Sequence, residues 1–470
     1  MHRLIAVTSL SLILMQGCTI PDVPYHKVCS SDSTCSPAAL RDAVPMRTDL
    51  AIRNDGWGAC LADDEHRKLQ ANSPLAVHSR CEGFDRSSLL TTPYSHAWLE
   101  YRDDGQRHDS TQRDAILRWI QDGSGPLYVV VYIHGWHHNA NELNGDPRNN
   151  AIKFPFLMAR QVDTLKRMAL DGGPQMPQVL GIYVGWRGEE YTDPLRKFLS
   201  IDGRSKVADL IGRAGVLKGD LLDIANAMRA RDPSASRMVV IGHSLGGRMA
   251  TSMFRADLES GRAQPLGAGT LVVTLNAAVG ADCFDGVFKE GGKNLDAPRP
   301  TWINITSEND TATDTVYSAA KLFGLVNSCH ASSPASEKTI GHYRPYFRQV
   351  IDQATSTRAE DAVDAIALER AVPWEPSWYK ETSKRLFMKF PVRTDLALDQ
   401  SRAMYSSVNV GVENIGLPAR VLGRSVWNVR SDKSLFDFDV GGDNIGGHHN
   451  GIISTTLVRL LTEIVYPPVQ

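Results

Sequence analysis

What this chain lacks narrows its chemistry first. It has no C-x-x-C pair, so zinc ribbons and thioredoxin-like chemistry have no foothold. It has no charge of one sign in excess: Lys and Arg number 51 against 53 Asp and Glu, a net charge of -2. No dense Lys/Arg block with interleaved aromatics stands out either, so nothing offers a nucleic-acid backbone a basic field, and nucleic acid is not an expected partner. The apolar stretch at residues 4–15 is too short to span a bilayer. A dinucleotide fingerprint is missing, because Gly267-Ala268-Gly269 is too short and stands before a strand, not after one. Residues 45–51 are echoed once, at residues 391–397, and one short pair makes no repeat architecture. No cofactor is expected.

What is present centres on residues 239–247, Val-Val-Ile-Gly-His-Ser-Leu-Gly-Gly. A β-branched apolar run reads as a buried parallel strand, and residues 245–258 carry apolar side chains at helical spacing. The chain must therefore turn sharply at Ser244. In a G-x-S-x-G turn the serine backbone is strained, and glycines such as Gly242 and Gly246 let strand and helix pass closely. The hydroxyl is then exposed at a helix N-terminus, where the Leu245 backbone N–H and the positive helix end stabilise a nearby oxyanion. Ser244 is the candidate nucleophile; the plainer reading is a glycine-rich strand-to-helix turn.

The first residues, Met1-His2-Arg3, the apolar stretch and Gln16-Gly17-Cys18, form a short signal peptide. They resemble a bacterial lipoprotein signal spanning residues 1–17, with the lipid on Cys18; an ordinary cleaved signal is the alternative. Thr19 after the cysteine, by that resemblance, implies the outer membrane, facing the periplasm. Export agrees with the cysteine count. Of seven cysteines, removing Cys18 leaves Cys29, Cys35, Cys60, Cys81, Cys283 and Cys329, an even set. Six cysteines allow 15 pairings, and nearness in sequence suggests Cys29–Cys35, Cys60–Cys81 and Cys283–Cys329.

Residues 18–92 read as a tether and a disulfide-bearing N-terminal segment, with residues 93–470 as the catalytic-type domain. Strands are expected at residues 94–101, Leu127–Ile133, residues 179–184, 238–241, Thr270–Leu275, residues 301–306 and 425–429. Helices are expected at residues 156–170, through a long region ending at residue 229, and at residues 452–464, and Ser110 can cap another. Alternation at this spacing predicts an α/β fold, a mostly parallel sheet with helices on both faces. Sites then lie at the carboxyl ends of the strands. Residues 311–425 read as a large insertion before the last strand, with a helix near residues 360–370 and strand-like pieces at 386–390 and 407–412.

A serine nucleophile needs a base, an acid that orients the base, and oxyanion donors. Ser244 is followed by Asp310 just past one strand, then by His448 and His449 past the last, the Ser…Asp…His order of α/β-hydrolases. Glu308 and Asp314 compete with Asp310, whose plainer reading is a helix cap. Adjacent histidines point in different directions, so one alone serves, with His449 preferred. The cluster His134-Gly135-Trp136-His137-His138 lacks the H-E-x-x-H or carboxylate spacing of a zinc site, and the loop with Asp437, Asp439 and Asp443 matches no calcium motif. No metal is expected.

Together His134-Gly135-Trp136, Gly242-His243-Ser244-Leu245-Gly246, Asn309-Asp310 and Gly447-His448-His449-Asn450 resemble the α/β-hydrolase superfamily, in its bacterial lipase/esterase-like branch. The resemblance covers residues 94–310 and 425–464. It implies an α/β-hydrolase fold and a serine hydrolase acting on a small-molecule or lipid ester through an acyl-enzyme. Ser244 would attack, His449 move the proton and Asp310 orient it, with the Leu245 and Trp136 N–H groups as the oxyanion hole and His134 structural. An amidase or thioesterase on the same triad, or a non-enzymatic envelope scaffold on the same fold, stays open. The residues say nothing of oligomeric state.

Overall fold

The computed structural model describes residues 19–26, 46–47, 94–141, 150–170, 175–191, 196, 199–260, 265–294, 300–307, 309–322, 324, 326–346, 349–352, 411–412, 425–431, 449 and 455–465. Cys18, Cys29, Cys35, Cys60, Cys81, Glu308, His448, the aspartate-bearing loop and the elements expected at 360–370 and 386–390 lie outside them.

Continuous β-branched runs form the strands, and their two faces explain the pattern. In chain order the elements are β1 (Tyr94–Glu100), α1 (Ser110–Asp122), β2 (Leu127–Ile133), α2 (Asn150–Leu170), β3 (Gln178–Gly185), α3 (Ile201–Arg213), α4 (Val216–Arg231) and β4 (Arg237–His243). There follow α5 (Leu245–Glu259), β5 (Thr270–Leu275), β6 (Trp302–Ser307), α6 (Tyr317–Leu322), β7 (Gln349–Asp352), β8 (Val426–Ser431) and α7 (Thr455–Val465). The strands make one sheet in the order β1-β3-β2-β4-β5-β6-β8-β7, every neighbour parallel. Two-residue strands add antiparallel edges, Met46–Arg47 on β1 and Gly411–Val412 on β7.

A parallel strand covered on both faces is apolar at every position. On β2, Tyr128, Val130 and Tyr132 face α2 and α7, packing with Phe154, Met158, Leu457 and Leu461. The alternate residues, Val129, Val131 and Ile133, join the opposite layer with Ile116, Ile211, Leu221 and Phe254 of α1, α3, α4 and α5. The result is an α/β protein of three layers. No helix among the described residues is long and apolar enough to cross a membrane.

Several expectations are corrected in detail. Asp109, not Ser110, caps α1, its carboxylate accepting from Thr111 N–H at 2.8 Å, because a carboxylate reaches that free donor as well as a hydroxyl does. The long helical region is two helices, broken where Gly215 takes φ 82° before α4. Helix α2 starts at Asn150, six residues before the expected start, and runs through Pro155. The residues expected as an insertion begin within the main fold: Val326, Ile340 and Tyr346 are buried, and β7 adds a strand to the sheet beside β8. Four residues with one parallel partner strand leave too weak a pattern to read from sequence.

The disulfide Cys283–Cys329 is formed across a sequence separation of 46. Closing a loop of that length restrains the unfolded chain by about 4 kcal/mol in the chain-entropy account. The variant Cys283→Ser/Cys329→Ser is expected to lose a substantial part of that, read as a lower denaturant midpoint; an unchanged midpoint would show the bond to be energetically idle.

Candidate active site

The carboxyl ends of the strands come into line through the register: Ile133 pairs with Gly242, His243 with Leu275, Leu275 with Ile305, and Ser307 with Ser431. Chain leaving β2 goes to β3 on one side, and chain leaving β4 goes to β5 on the other. The crevice between those two ends is the switch point where open α/β sheets hold their sites. Gly135 and Ser244 are the residues there.

Ser244 has φ 54° and ψ -118°, a conformation that side-chain-bearing residues rarely take. It separates β4 from α5 with no residue to spare. Its carbonyl accepts from Arg248 N–H and Ala278 N–H, each at 3.1 Å, and its own N–H donates to Leu275 O at 3.1 Å. Leu245 is the first residue of α5, so its N–H belongs to the helix's unpaired first turn. A Cβ on Gly246 would stand 2.1 Å from Ile133 O, one on Gly242 would stand 2.6 Å from Gly246 O, and one on Gly135 would stand 2.8 Å from Ser244 Cβ. Backbone occupies each place a methyl would need at Gly246 and Gly242, so glycine is required. The loop Gly135-Trp136 is thereby pressed against the serine.

His449 comes from beyond β8. Its carbonyl accepts from Asn276 Nδ2 at 2.9 Å and lies 3.0 Å from His243 Nε2. Its ring stands 4.8 Å, centroid to centroid, from that of His243, the neighbour of Ser244. Its Nδ1 is 3.0 Å from both oxygens of Asp310. Asp310 is 1 % exposed. Burial pushes its carboxyl up, but the His449 charge and hydrogen bonds from His449 and Thr313 outweigh that and hold it below its usual range. An ionised carboxylate cannot donate, so the hydrogen between the two sits on His449 Nδ1.

Asp310 is also a cap. Oδ1 accepts from Ala312 N–H at 3.0 Å and Thr313 N–H at 3.2 Å, at the start of a single π-helical turn, Ala312–Val316. The plain and the chemical readings of this aspartate both hold. Asp314 instead pairs with Lys338 at 2.8 Å.

His134 has both ring nitrogens engaged, Nδ1 donating to Gly135 O at 2.8 Å and Nε2 accepting from Trp186 N–H at 3.2 Å. Burial lowers its pKa to about 4, so it is neutral, and no lone pair remains for a metal. Trp136 Nε1 donates to Ser200 Oγ at 3.1 Å, steadying the loop it belongs to. Among the described residues, the one group of metal-type ligands close enough to share an ion is Asp282, Cys283 and Cys329, and its two sulfurs are joined to each other.

Sequence reasoning missed four partners. His243 and Asn276 hold the histidine's backbone. The Thr313 hydroxyl donates to Asp310 Oδ2 and stands 3.1 Å from His342 Nε2, a ring whose pKa burial lowers against the pull of Asp310 and Asp314. Asn276, with φ 45° at the end of β5, was visible as a polar strand terminus; Thr313 and His342 gave no signal, because only the fold brings them to Asp310.

Comparison with known proteins adds no assignment: no family model, no curated protein and no solved structure matches this chain.

Two outcomes follow from this geometry. Gly246→Ala is expected to cost about 3 kcal/mol, because the obstructing atoms are backbone of β2 and its loop; thermal or denaturant unfolding measures it, and an effect within 0.5 kcal/mol, the size of a neutral surface change, would contradict the close approach. Asp310 has its pKa lowered by folding, so its contribution is full above the unfolded carboxylate range and disappears as pH falls through the folded value. The stability gap between the protein and Asp310→Asn should therefore be constant near neutrality and narrow below about pH 4, as denaturant titrations at stepped pH would record.

Proposed function

We propose that this protein is a serine hydrolase of the α/β-hydrolase superfamily that cleaves a carboxylic ester through an acyl-enzyme. The observation that carries the reading is the His449–Asp310 pair, whose histidine packs against His243, the residue before a serine that sits strained at a strand-to-helix elbow. Three further features support it. Ser, Asp and His each follow the carboxyl end of a parallel strand, in the superfamily's chain order. Leu245 follows the serine at a helix N-terminus, and Trp136 follows the glycine packed on Ser244, so two N–H groups are available for an oxyanion hole. The histidine tautomer is set by an ionised, buried acid.

In this reading Ser244 Oγ attacks the ester carbonyl carbon while its proton passes to His449 Nε2. The tetrahedral oxyanion is held by the Leu245 and Trp136 N–H groups. The bond from carbon to the alcohol oxygen then breaks, and His449 delivers the proton to that oxygen. Water, giving a proton to His449, attacks the acyl carbon; the carboxylic acid leaves and the proton returns to Ser244. Asp310 stays ionised and stabilises the imidazolium in both steps. The acid and alcohol groups are those of a small-molecule or lipid ester, and the protein is held in the bacterial cell envelope, at the outer membrane facing the periplasm, by a lipid on Cys18.

A fluorophosphonate probe tests the reading without knowledge of the substrate. Labelling is expected in the protein, lost in Ser244→Ala and in His449→Ala, retained in His448→Ala, and slowed by roughly 10³–10⁴-fold in Asp310→Asn. No labelling of the folded protein would leave the non-enzymatic scaffold as the better account.

A further inference from the structure

Residues 19–26 lie as a strap on the carboxyl end of the sheet, and their contacts are those of a dock. Ile20 N–H donates to Glu190 O at 2.8 Å, Thr19 bridges to Tyr191, and Arg187 Nη1 donates to Ile20 O at 3.1 Å. Asp22 accepts from Asp103 N–H at 2.9 Å and faces His108 Nε2 at 3.1 Å. The centre is Glu100, the last residue of β1, which is 3 % exposed. Its two oxygens accept from the N–H groups of Tyr25 and His26, each at 2.9 Å, and from Gln112 Nε2 at 2.9 Å. The His26 ring stacks on Trp98 at 3.8 Å. A buried carboxylate is costly unless its acceptor sites are filled, and here the strap's backbone fills two of them.

The strap ends close to the crevice. Glu190, which receives Ile20, is two residues from Gly188, where a Cβ would stand 2.6 Å from Gly135 O; Gly135 in turn touches Ser244. Cys18 directly precedes Thr19 in the sequence. A lipid on Cys18 therefore starts at the crevice end of the domain. Two of the large apolar side chains left exposed lie on that end: Val23 on the strap, 45 % exposed, and Leu199, 58 % exposed, beside the Ser200 that holds Trp136. The arrangement leaves no slack chain between anchor and dock.

We propose that the strap at residues 19–26 holds the crevice end of the sheet against the bilayer that carries the Cys18 lipid, so that the ester taken by Ser244 is a lipid drawn from that bilayer. This rests on the hydrolase and lipoprotein readings above. The occupant of the face is a lipid surface because the Cys18 lipid would enter one there, and because Val23 and Leu199 offer it apolar contact.

The test uses the full lipidated chain in phosphatidylcholine vesicles. An environment-sensitive fluorophore is placed on Leu199→Cys and, as a control at the amino end of the strands, on Ser124→Cys, an exposed position in the turn before β2. Brominated lipid is expected to quench the Leu199 label and leave the Ser124 label unquenched. Inserting a Gly/Ser linker of about 30 residues, spanning roughly 30 Å, between Cys18 and Thr19 should abolish that difference. The same insertion should lower hydrolysis of a bilayer-resident diacyl ester by roughly tenfold, through the fall in effective concentration, while a dissolved short-chain ester is cleaved as before.

Equal quenching at the two positions, stronger quenching at Ser124, or a Leu199 label shielded by protein instead of lipid would overturn the membrane placement. A lipid-ester rate indifferent to the linker would overturn the substrate assignment. Fluorophosphonate labelling in the same vesicles scores the hydrolase reading separately: its absence beside the expected quenching pattern would remove the ester and keep the bilayer-facing dock. A protein that does not remain with the vesicles overturns both anchor and dock.

Discussion

Much of this structure depends on one close approach of backbone to backbone. The loop leaving β2 and the first turn of α5 meet at Gly246, where even a methyl group would lie 2.1 Å from Ile133 O. That contact pins the start of α5 to the end of β2, and Ser244, between β4 and α5, has no relaxed conformation that satisfies both. Its φ of 54° is the consequence. Strain of this kind costs of order 1–3 kcal/mol and persists only where the surroundings over-determine it. Here the sheet register, the glycines at 135, 242 and 246, and the packing of α5 in one layer with α1, α3 and α4 supply that over-determination.

Buried polar groups around the serine are organised by the same sheet. Asn276 and His243 grip the carbonyl of His449, while Asp310 holds its ring, so backbone and side chain of one histidine are both tied to strand ends. Asp310 is ionised because the donors it faces outweigh its burial, and those donors are the capping N–H groups, Thr313 and His449 itself. Capping and orienting are thus one electrostatic arrangement. Along α5, the buried Arg248 is paired with Asp209 of α3 at 2.9 and 2.6 Å, which ties the elbow helix to its neighbour. Removing either partner would leave the other's charge buried and unpaired.

The strap extends the same logic to placement. Glu100 lies at the end of β1 and Arg187 just past β3, so the N-terminal segment is fastened to the carboxyl ends of those two strands, with Gln112 of α1 also donating to the His26 carbonyl. A crevice at the carboxyl ends of a parallel sheet and a segment fastened at those same ends share one face by construction.

The sequence by itself determined the elements whose signal is local. Residues of Leu127–Ile133 and Thr270–Leu275 are apolar throughout, and both strands have the expected bounds. The elbow was legible because strand, Gly-x-Ser-x-Gly and helix follow one another directly; the Cys283–Cys329 pair, suggested by nearness in sequence, is formed. Cap identity and helix breaks were less legible: Asp109 and Ser110 both cap helices well, and Gly215 is one glycine among 38. Only the tertiary structure decided which carboxylate serves His449, since Asp310 and Asp314 share one short segment and differ only in what the fold sets before them, a histidine for one and Lys338 for the other. It alone placed β7 in the sheet, Asn276, Thr313 and His342 around the acid, and residues 19–26 on the crevice end. These are contacts between residues far apart in the chain, and no periodicity or propensity records them, because their partners exist only once the strands are in register.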